Sequence, residues 1–466
     1  MRKVFAFVAA TFIFNSLQAQ NTWMPDGGGS YAINTVHTEC LSHEHRELMR
    51  QEINANKLLL QAQGKLHSHT QTSSPNVHPL FIWPVTKSAE APYNNCWSIS
   101  NHVDHNANYP NAIQDWNCGT RSYDTNNGYN HKGIDIFTWP FTWHQMDNDE
   151  ALAVAAASGT IIYKLDGNFD RNCSFNSNNW NVVCLQHADG SESWYGHLKS
   201  GSLTTKGLGE SVAAGEYLGV IGSSGSSTGP HLHFEVYNSA SQLVDTYDGP
   251  CNAWTSSTDS WWQNQKPYWD PKINAVLTHS APPQLNNCPT TETHNMEDNF
   301  GLGSNVVVAI YIADQIAGTS VNLTLRNPDN TIQANWNFNF VDAYYASWWY
   351  WTFPASQFLQ QGTYQFSATY LGNTITSSFN YGALALNENN TMPFVVAPNP
   401  ATETISIRNA NNAVPERIAI FDLMGKKVLD EVNPQPTVNI SALSKGVYFI
   451  KISVDGTLYT TKFIKE

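Results

Sequence analysis

Polar and apolar residues alternate most clearly at 231–237, in the stretch HLHFEVY. If this stretch is a β-strand, its side chains alternate between two faces, so His231, His233 and Glu235 share one face. The apolar residues between them fall on the other face, which suits a packed core. A Gly-Pro pair just before the run is a turn signal that marks where the strand begins. The two imidazoles therefore face a cleft or solvent.

A second alternating run, NHKGIDIFTW, begins at residue 130. As a strand it places Ile134 and Ile136 in the core and leaves His131, Gly133 and Asp135 on the open face. The glycine between the two polar residues leaves room there for an ion or a substrate.

A further histidine, His197, lies beside a glycine in SWYGHLKSG, ahead of a glycine-rich run. Taken alone, a single histidine near a turn is more often structural or solvated than catalytic. Its meaning depends on the other two motifs.

The rest of the pattern predicts a mainly β protein with an N-terminal helical segment. The stretch from Thr38 to about Gly64 lacks proline and ends at a glycine, which predicts a helix followed by a polar linker. Glycine turns and short apolar runs from 80 to 277 predict a compact antiparallel β domain. Longer alternating runs predict a β-sandwich at 291–383, and a small β-rich unit is expected at 393–466.

The sandwich contains the aromatic run SWWYWTF. Such a run is able to form a platform for glycan or protein. Alternation along a strand nevertheless buries half of the rings, so we expect core packing for most of them.

The N-terminus has the composition of a secretory signal peptide at residues 1–19. Arg2 and Lys3 precede an apolar stretch, and small residues follow near Ala19. No other stretch is apolar for long enough to suggest a transmembrane segment. The net charge of −14 argues against a nucleic-acid partner and fits an exported protein with an acidic surface.

Seven cysteines lie beyond the predicted signal peptide, and in an oxidising compartment we expect most of them to pair. Pairing of sequence neighbours gives Cys96 with Cys118, Cys173 with Cys184, and Cys251 with Cys288, although sequence alone does not prove the connectivity. Cys40 is left single.

Together, HKGID, YGHL and GSSTGPHLHFEV resemble the motifs of the lysostaphin-like zinc metallopeptidases, peptidase family M23, and the segment GTRSYD around Arg121 is similar to the one that precedes the family's first motif. The resemblance covers about 100–240. The stretch FTWPFTWHQMDNDEALAVAA is longer than the family usually shows, which affects one wall of the cleft.

The resemblance implies that His131, Asp135 and His233 are zinc ligands, whereas His231 and His197 act on water and the transition state. Two imidazoles and one carboxylate also suit a catalytic zinc on chemical grounds, because such a site keeps one position open for water. His231 is expected to be the general base, and His197 to hydrogen-bond the oxyanion or share the base role.

The last unit resembles the C-terminal sorting domain of the type IX secretion system, through PNPATETISI, IFDLMGKKV and LSKGVYFIKI. The route that this implies is Sec export, passage across the outer membrane by the type IX machinery, and a secreted or cell-surface protein from which this unit is removed.

The leading hypothesis is a secreted zinc endopeptidase whose substrate is peptidoglycan cross-links or a glycine-rich extracellular protein. Two alternatives are a non-catalytic envelope- or glycan-binding module on the same fold and a glycan-binding adhesin that relies on the aromatic sandwich. Residues 20–79 are a possible propeptide that covers the cleft, with Cys40 as a candidate ligand for the open zinc position.

Overall fold

The computed structural model describes residues 23–31, 38–66, 78–252, 260–285, 288–382, 394–409, 415–423, 425–454 and 457–466. The predicted signal peptide and most of the predicted polar linker lie outside these ranges. The chain forms two compact units, residues 1–383 and 384–466, which are described separately. The prediction of a mainly β protein with antiparallel sheets is confirmed.

The N-terminal part contains strand β1 (Gly27–Ser30) and helix α1 (His43–Ala62). The helix predicted from Thr38 is therefore present. It begins after Ser42, whose hydroxyl accepts a hydrogen bond from the His45 amide at 3.2 Å, as an N-cap does. Within the described residues no helix is long and apolar enough to cross a membrane.

The central region, residues 78–270, is built of short strands and one short helix. Its elements are β2 (Val85–Lys87), β3 (Trp97–Asn101), β4 (Ile134–Thr138), α2 (Thr142–Asp147), β5 (Ala151–Val154), β6 (Gly159–Leu165), β7 (Val182–Gln186), β8 (Glu192–Gly196), β9 (Ser211–Val212), β10 (Tyr217–Val220), β11 (His231–Tyr237) and β12 (Leu243–Val244).

One antiparallel sheet of the central region has the order β3-β4-β11-β8-β7-β6-β9, with β12 beside β11, and a smaller sheet has the order β10-β5-β2. The large sheet has two different faces. One face contributes alternate residues such as Leu232, Phe234 and Tyr195 to the main core. The other face carries His233 and, further along, Trp194, and α1 packs on it.

The sandwich region has eight strands and a short 3₁₀ helix, Ala355–Gln357. The strands are β13 (Lys272–His279), β14 (Asn299–Phe300), β15 (Val306–Gln315), β16 (Ser320–Arg326), β17 (Ile332–Asn339), β18 (Tyr344–Phe353), β19 (Gly362–Tyr370) and β20 (Asn373–Tyr381). Together with β1 they form two sheets, β1-β18-β15-β13 and β14-β20-β19-β16-β17, with a shared apolar core.

The sandwich recruits chain from outside the predicted range 291–383. Strand β13 pairs with β15, although the sequence analysis assigned residues as far as 277 to the β domain before it, and β1 pairs with β18. Every residue of β15 is buried, because its second face packs on the central core through Ala309 and Tyr311. In the aromatic run of β18, Trp351 lies in the sandwich core and Trp348 packs against the central core, as expected for core packing.

The C-terminal unit has seven described strands. They are β21 (Phe394–Ala397), β22 (Thr404–Asn409), β23 (Arg417–Phe421), β24 (Lys427–Val432), β25 (Thr437–Asn439), β26 (Gly446–Val454) and β27 (Thr457–Lys465). They form two antiparallel sheets, β21-β22-β25 and β24-β23-β26-β27, around a separate apolar core.

The predicted disulfide pairing was wrong. The structure pairs Cys118 with Cys251 and Cys173 with Cys288, and leaves Cys40, Cys96 and Cys184 free and buried. Cys184 lies within β7 and packs in the apolar cluster under α1, whereas its sequence neighbour Cys173 lies outside the strands. Pairing depends on proximity in the folded chain, which the order of cysteines does not reveal.

Candidate metal centre

Two neighbouring strands and the loop before one of them bring the candidate ligands together. Asp135 is on β4 and His233 is on β11, and the two residues are direct partners across the antiparallel pair. Directly opposed residues project from the same face of a sheet, so their side chains meet. His131 precedes β4 and joins them from the loop.

The donor atoms of these three residues converge on one point. Asp135 Oδ2 is 3.1 Å from His131 Nε2, and Asp135 Oδ1 is 2.7 Å from His233 Nδ1. The two ring nitrogens are 3.4 Å apart, and all the donor atoms lie within 4.8 Å of one another. All three residues are buried. Two imidazole nitrogens and a carboxylate in this arrangement form a group that could hold a metal ion.

The second nitrogen of each histidine is held by the protein. His131 Nδ1 donates to the carbonyl of His102 at 2.7 Å, and His233 Nε2 is 2.8 Å from Glu235 Oε1. Such contacts fix the ring orientation and the tautomer of a metal-ligating histidine. Sequence analysis placed Glu235 on the correct face but gave it no role, and it missed His102.

The charges around Asp135 favour its carboxylate form. Burial disfavours that form, but the neighbouring His131 and hydrogen bonds from His131 and His233 hold the pKa of Asp135 well below its usual range. Asn101 Nδ2 also donates to Asp135 Oδ2 at 3.0 Å, a contact that sequence analysis did not anticipate.

Gly133 allows a close approach of strand β11 to the chain before β4. A Cβ atom at this position would lie 2.8 Å from both His233 Nε2 and the carbonyl oxygen of Phe234. The missing side chain therefore makes room for the ring of His233 and the neighbouring strand. Ile134 and Ile136 are buried in the core, as the alternation predicts.

His231 and His197 lie together beside the converging group. Their ring centroids are 4.4 Å apart, and His231 Nε2 is 3.7 Å from Asp135 Oδ1. Each Nδ1 donates to a backbone carbonyl, from His231 to Gly229 at 2.9 Å and from His197 to Ser224 at 2.5 Å. In the neutral rings Nε2 is therefore the acceptor.

The environment of both rings disfavours their protonation. Burial lowers the pKa of His231 despite the nearby Asp135, and burial with the adjacent His231 holds the pKa of His197 well below its usual range. Nε2 of His197 is buried and has no hydrogen-bond partner in the part of the chain that the structure describes. His197 also has a φ of +63°, in the left-handed region, and strain of this kind is often found at functional sites.

The chain before α1 closes one side of a cleft next to this group. The cleft has a volume of about 600 Å³, and its walls come from residues 38–42, 125–127 and 175–178, with His45 and Ser226. Cys40 Sγ lies 3.6 Å from His233 Nε2 and 3.0 Å from the Tyr129 hydroxyl. It therefore contacts the ring nitrogen that faces Glu235, not the one that faces Asp135.

Arg121, from the segment before the first motif, is not part of the site. Its guanidinium is 2.8 Å from Asp314 of β15 and lies over the Tyr345 ring, so it connects the central region to the sandwich.

Comparison with known proteins matches residues 129–246 to peptidase family M23 and residues 395–466 to the secretion system C-terminal sorting domain. The DD-carboxypeptidase/endopeptidase Mpg of Neisseria meningitidis serogroup B is 47% identical over 56 residues, 12% of this chain and 12% of the relative. The Neisseria gonorrhoeae protein of the same name matches equally. The chain thus covers about an eighth of these relatives.

Among solved structures, dimeric latent PorU from Porphyromonas gingivalis has a TM-score of 0.16 at 12% identity, covering 66% of this chain and 34% of that one. A tetra-tandem repeat from the extending region of a large adhesion protein also has a TM-score of 0.16 at 12% identity, covering 82% and 94%. Neither score supports an inference.

The segment matched to the peptidase contains all five predicted site residues, and the segment matched to the sorting domain ends at the last residue. The chain therefore contains a domain of peptidase family M23 and a secretion system C-terminal sorting domain.

Proposed function

We propose that this protein is a secreted zinc metalloendopeptidase that hydrolyses peptide bonds in peptidoglycan cross-links or in glycine-rich extracellular proteins. The observation that carries this proposal is the convergence of His131, Asp135 and His233 within 4.8 Å in the segment matched to peptidase family M23. A buried carboxylate between two imidazoles, with the outer nitrogens already anchored, fits a divalent cation.

The three residues would hold the zinc, and the rest of the site would manage protons. When bound, the ion supplies a Lewis acid that polarises the scissile carbonyl and lowers the pKa of water. Neutral His231 presents the Nε2 lone pair and is partly exposed, with 13% of its side chain accessible, so it suits a general base that returns the proton to the leaving amine.

His197 supports the same task. Because Nδ1 donates to Ser224, the neutral ring offers Nε2 as an acceptor, which favours sharing the base role. Once protonated, the same Nε2 donates a hydrogen bond and stabilises a developing oxyanion.

The similarity to proteins named DD-carboxypeptidase/endopeptidase supports cell-wall peptides as one substrate class. The sorting domain supports the type IX machinery as a partner during export. In this proposal the signal peptide at 1–19 directs Sec export, and the sorting unit at 393–466 is removed after passage across the outer membrane.

The test combines metal content with cleavage. Purified mature protein should contain about one zinc per chain and release peptides from purified peptidoglycan or from an elastin-like protein. Asp135→Asn, matched in size, should lose both metal and hydrolysis. Peptidoglycan binding without metal or cleavage would instead identify a non-catalytic envelope- or glycan-binding module.

We also propose that part of 20–79 is an inhibitory propeptide. Residues 38–42 and His45 line the cleft, and α1 lies on the sheet face that carries His233. The position of Cys40 at Nε2 of His233 favours inhibition by covering the cleft over direct ligation of zinc.

Because β1 belongs to the sandwich sheet, truncation at Leu80 would also damage that sheet. A sharper test introduces protease sites at 32–37 and 67–77, which flank α1. Cutting both sites should raise hydrolysis, and equal activity before and after removal of α1 would end the propeptide proposal. Cys40→Ser should leave the uncut protein latent.

A further inference from the structure

Beyond the candidate ligands, the same face of the central sheet carries a second group of polar and aromatic side chains. Tyr237 and Glu235 continue the His231–His233 alternation on β11. Glu192 on β8 is the direct strand partner of Tyr237, and Trp194 lies on the same face two residues further along. The side chains of Glu192 and Glu235 are 1% and 0% exposed.

Helix α1 places positively charged side chains against this group. Arg50 Nη1 lies 2.6 Å from one oxygen of Glu192, and Lys57 Nζ lies 2.8 Å from the other. The Arg50 guanidinium also lies 4.5 Å from the Trp194 ring centroid and 4.3 Å from that of Tyr237. A carboxylate with two aromatic faces is a binding site for a cation.

Next to it, Arg46 forms a bidentate pair with Glu235, with contacts of 2.6 and 2.8 Å. Among the described residues, every lysine or arginine that pairs with these two glutamates comes from α1, at 43–62. The glutamates themselves belong to the segment matched to the peptidase family, 129–246, and α1 does not.

The buried glutamates and the cations that neutralise them come from different segments of the chain. Ordinary core packing does not explain this division. Burying a carboxylate is costly unless a cation or several hydrogen bonds accompany it. Here the peptidase segment buries two carboxylates on the sheet face that carries its metal centre, and the neutralising groups come from a helix that covers this face. A site built to receive a cation explains why acidic residues occupy these positions.

We propose that Glu192, Trp194 and Tyr237 form a subsite for a positively charged side chain of the peptide substrate, and that Arg50 of α1 occupies it in the intact chain. The inference rests on the proposed peptidase function. Tyr237 is four residues from His233 on the same strand, about 13 Å at the usual rise. An extended substrate has a similar rise, so the charged residue lies about four residues from the cleaved bond.

The preferred group is a guanidinium or ammonium, as in arginine, lysine or another diamino acid. The two rings contact the flat faces of a guanidinium or the surface of an ammonium, and Glu192 supplies the opposite charge. A neutral side chain of the same length gains neither attraction.

The first experiment uses the full chain and does not depend on catalysis. Arg50→Ala should vacate the position between the Trp194 and Tyr237 rings and free one oxygen of Glu192, while Lys57 stays on the other. Ethylguanidinium should then raise the melting temperature in a saturable manner. Ethylurea, its neutral isostere, should not. The wild type and Arg326→Ala, which removes an arginine from the sandwich surface, should show no such rise, and adding Glu192→Gln to Arg50→Ala should abolish it. Equal responses to both compounds would overturn the subsite.

The second experiment covers the case in which Arg50→Ala does not fold. The chain with protease sites at 32–37 and 67–77 is cut, freed of α1 and stripped of metal, so that binding is measured without hydrolysis. A glycine-rich peptide with a lysine should bind about tenfold more tightly than its norleucine counterpart. The uncut chain should show no preference. Equal binding by the freed domain would refute the proposal, while cleavage measured separately decides the peptidase function.

Discussion

The two ends of one sheet face contrast sharply in how their carboxylates are neutralised. At the His233 end, Asp135 meets two imidazoles, and no lysine or arginine of the described chain pairs with it. At the Tyr237 end, Glu192 and Glu235 are each paired with cations from α1. The first arrangement favours a cation from outside the chain, and the second already has cations of its own. Which partner neutralises a buried acid thus indicates what the site is built to bind.

The largest effect is expected from a substitution at the His233 end of the sheet face. His233→Ala should abolish both zinc binding and hydrolysis, because three ligands hold a catalytic zinc and this change leaves two. Metal analysis by mass spectrometry and peptide release would measure it. His187→Ala is the matched control, since His187 is a buried histidine that contacts Ser158 and Ser193 away from the metal group. A fully active His233→Ala protein would contradict the assignment.

A smaller loss is expected from His231→Ala, which separates proton transfer from metal binding. The protein should retain zinc and lose about 10²–10⁴-fold in turnover, the usual worth of general acid–base catalysis. The comparison requires kcat and metal content on the same sample. Loss of zinc would mean that the roles of His231 and His233 are exchanged.

A substitution at the Tyr237 end, which α1 covers, should lower the stability of the protein. Arg46→Ala leaves Glu235 buried without its guanidinium and should destabilise the protein by about 3–5 kcal/mol. Urea unfolding would measure it, with Glu47→Ala, an exposed acid on the same helix, as control. If Glu235→Gln added to Arg46→Ala restores none of the loss, the two residues are not energetically coupled.

The smallest effect is expected at a third carboxylate, Glu292, which is neutralised in neither of these two ways. Glu292 accepts hydrogen bonds from the backbone of α2, including the His144 amide at 2.8 Å, yet burial raises its pKa from 4.5 to about 7. The folded state therefore binds the proton more tightly than the unfolded state, so stability should fall as pH rises from 4.5 towards 7.

Glu292→Gln should remove this dependence of folding stability on pH. It should also stabilise the protein above pH 7 by about 1–2 kcal/mol, allowing for solvent screening. Thermal unfolding at several pH values would measure the slope. An unchanged slope in the variant would assign the pH dependence to other groups.

The arrangement of the candidate ligands was predictable because it depends on strand periodicity. An alternation of two places His231 and His233 on one face, and the same rule separates Asp135 from Ile134 and Ile136. Burial of the isoleucines agrees with that rule. The resemblance to family M23 then supplied the roles, which remain proposals.

Contacts between distant segments were not predictable. Arg46 pairs with a residue 189 positions away, and the two disulfides span 133 and 115 positions. No local pattern indicates these partners. Similarly, the continuous apolar run of β15 was predicted to be an ordinary sandwich strand, whereas it is buried between two cores.

The pairing of β1 with β18 has a consequence for how α1 leaves. A single cut at 67–77 frees only one end of the helix, because residues 31–42 still connect it to a strand anchored in the sandwich. A short tether keeps a ligand at millimolar effective concentration. If α1 inhibits as proposed, the helix competes with substrate as an intramolecular inhibitor after one cut, and raising the substrate concentration weakens the inhibition. In that case only a second cut, between β1 and α1, lets the helix diffuse away and makes activation irreversible.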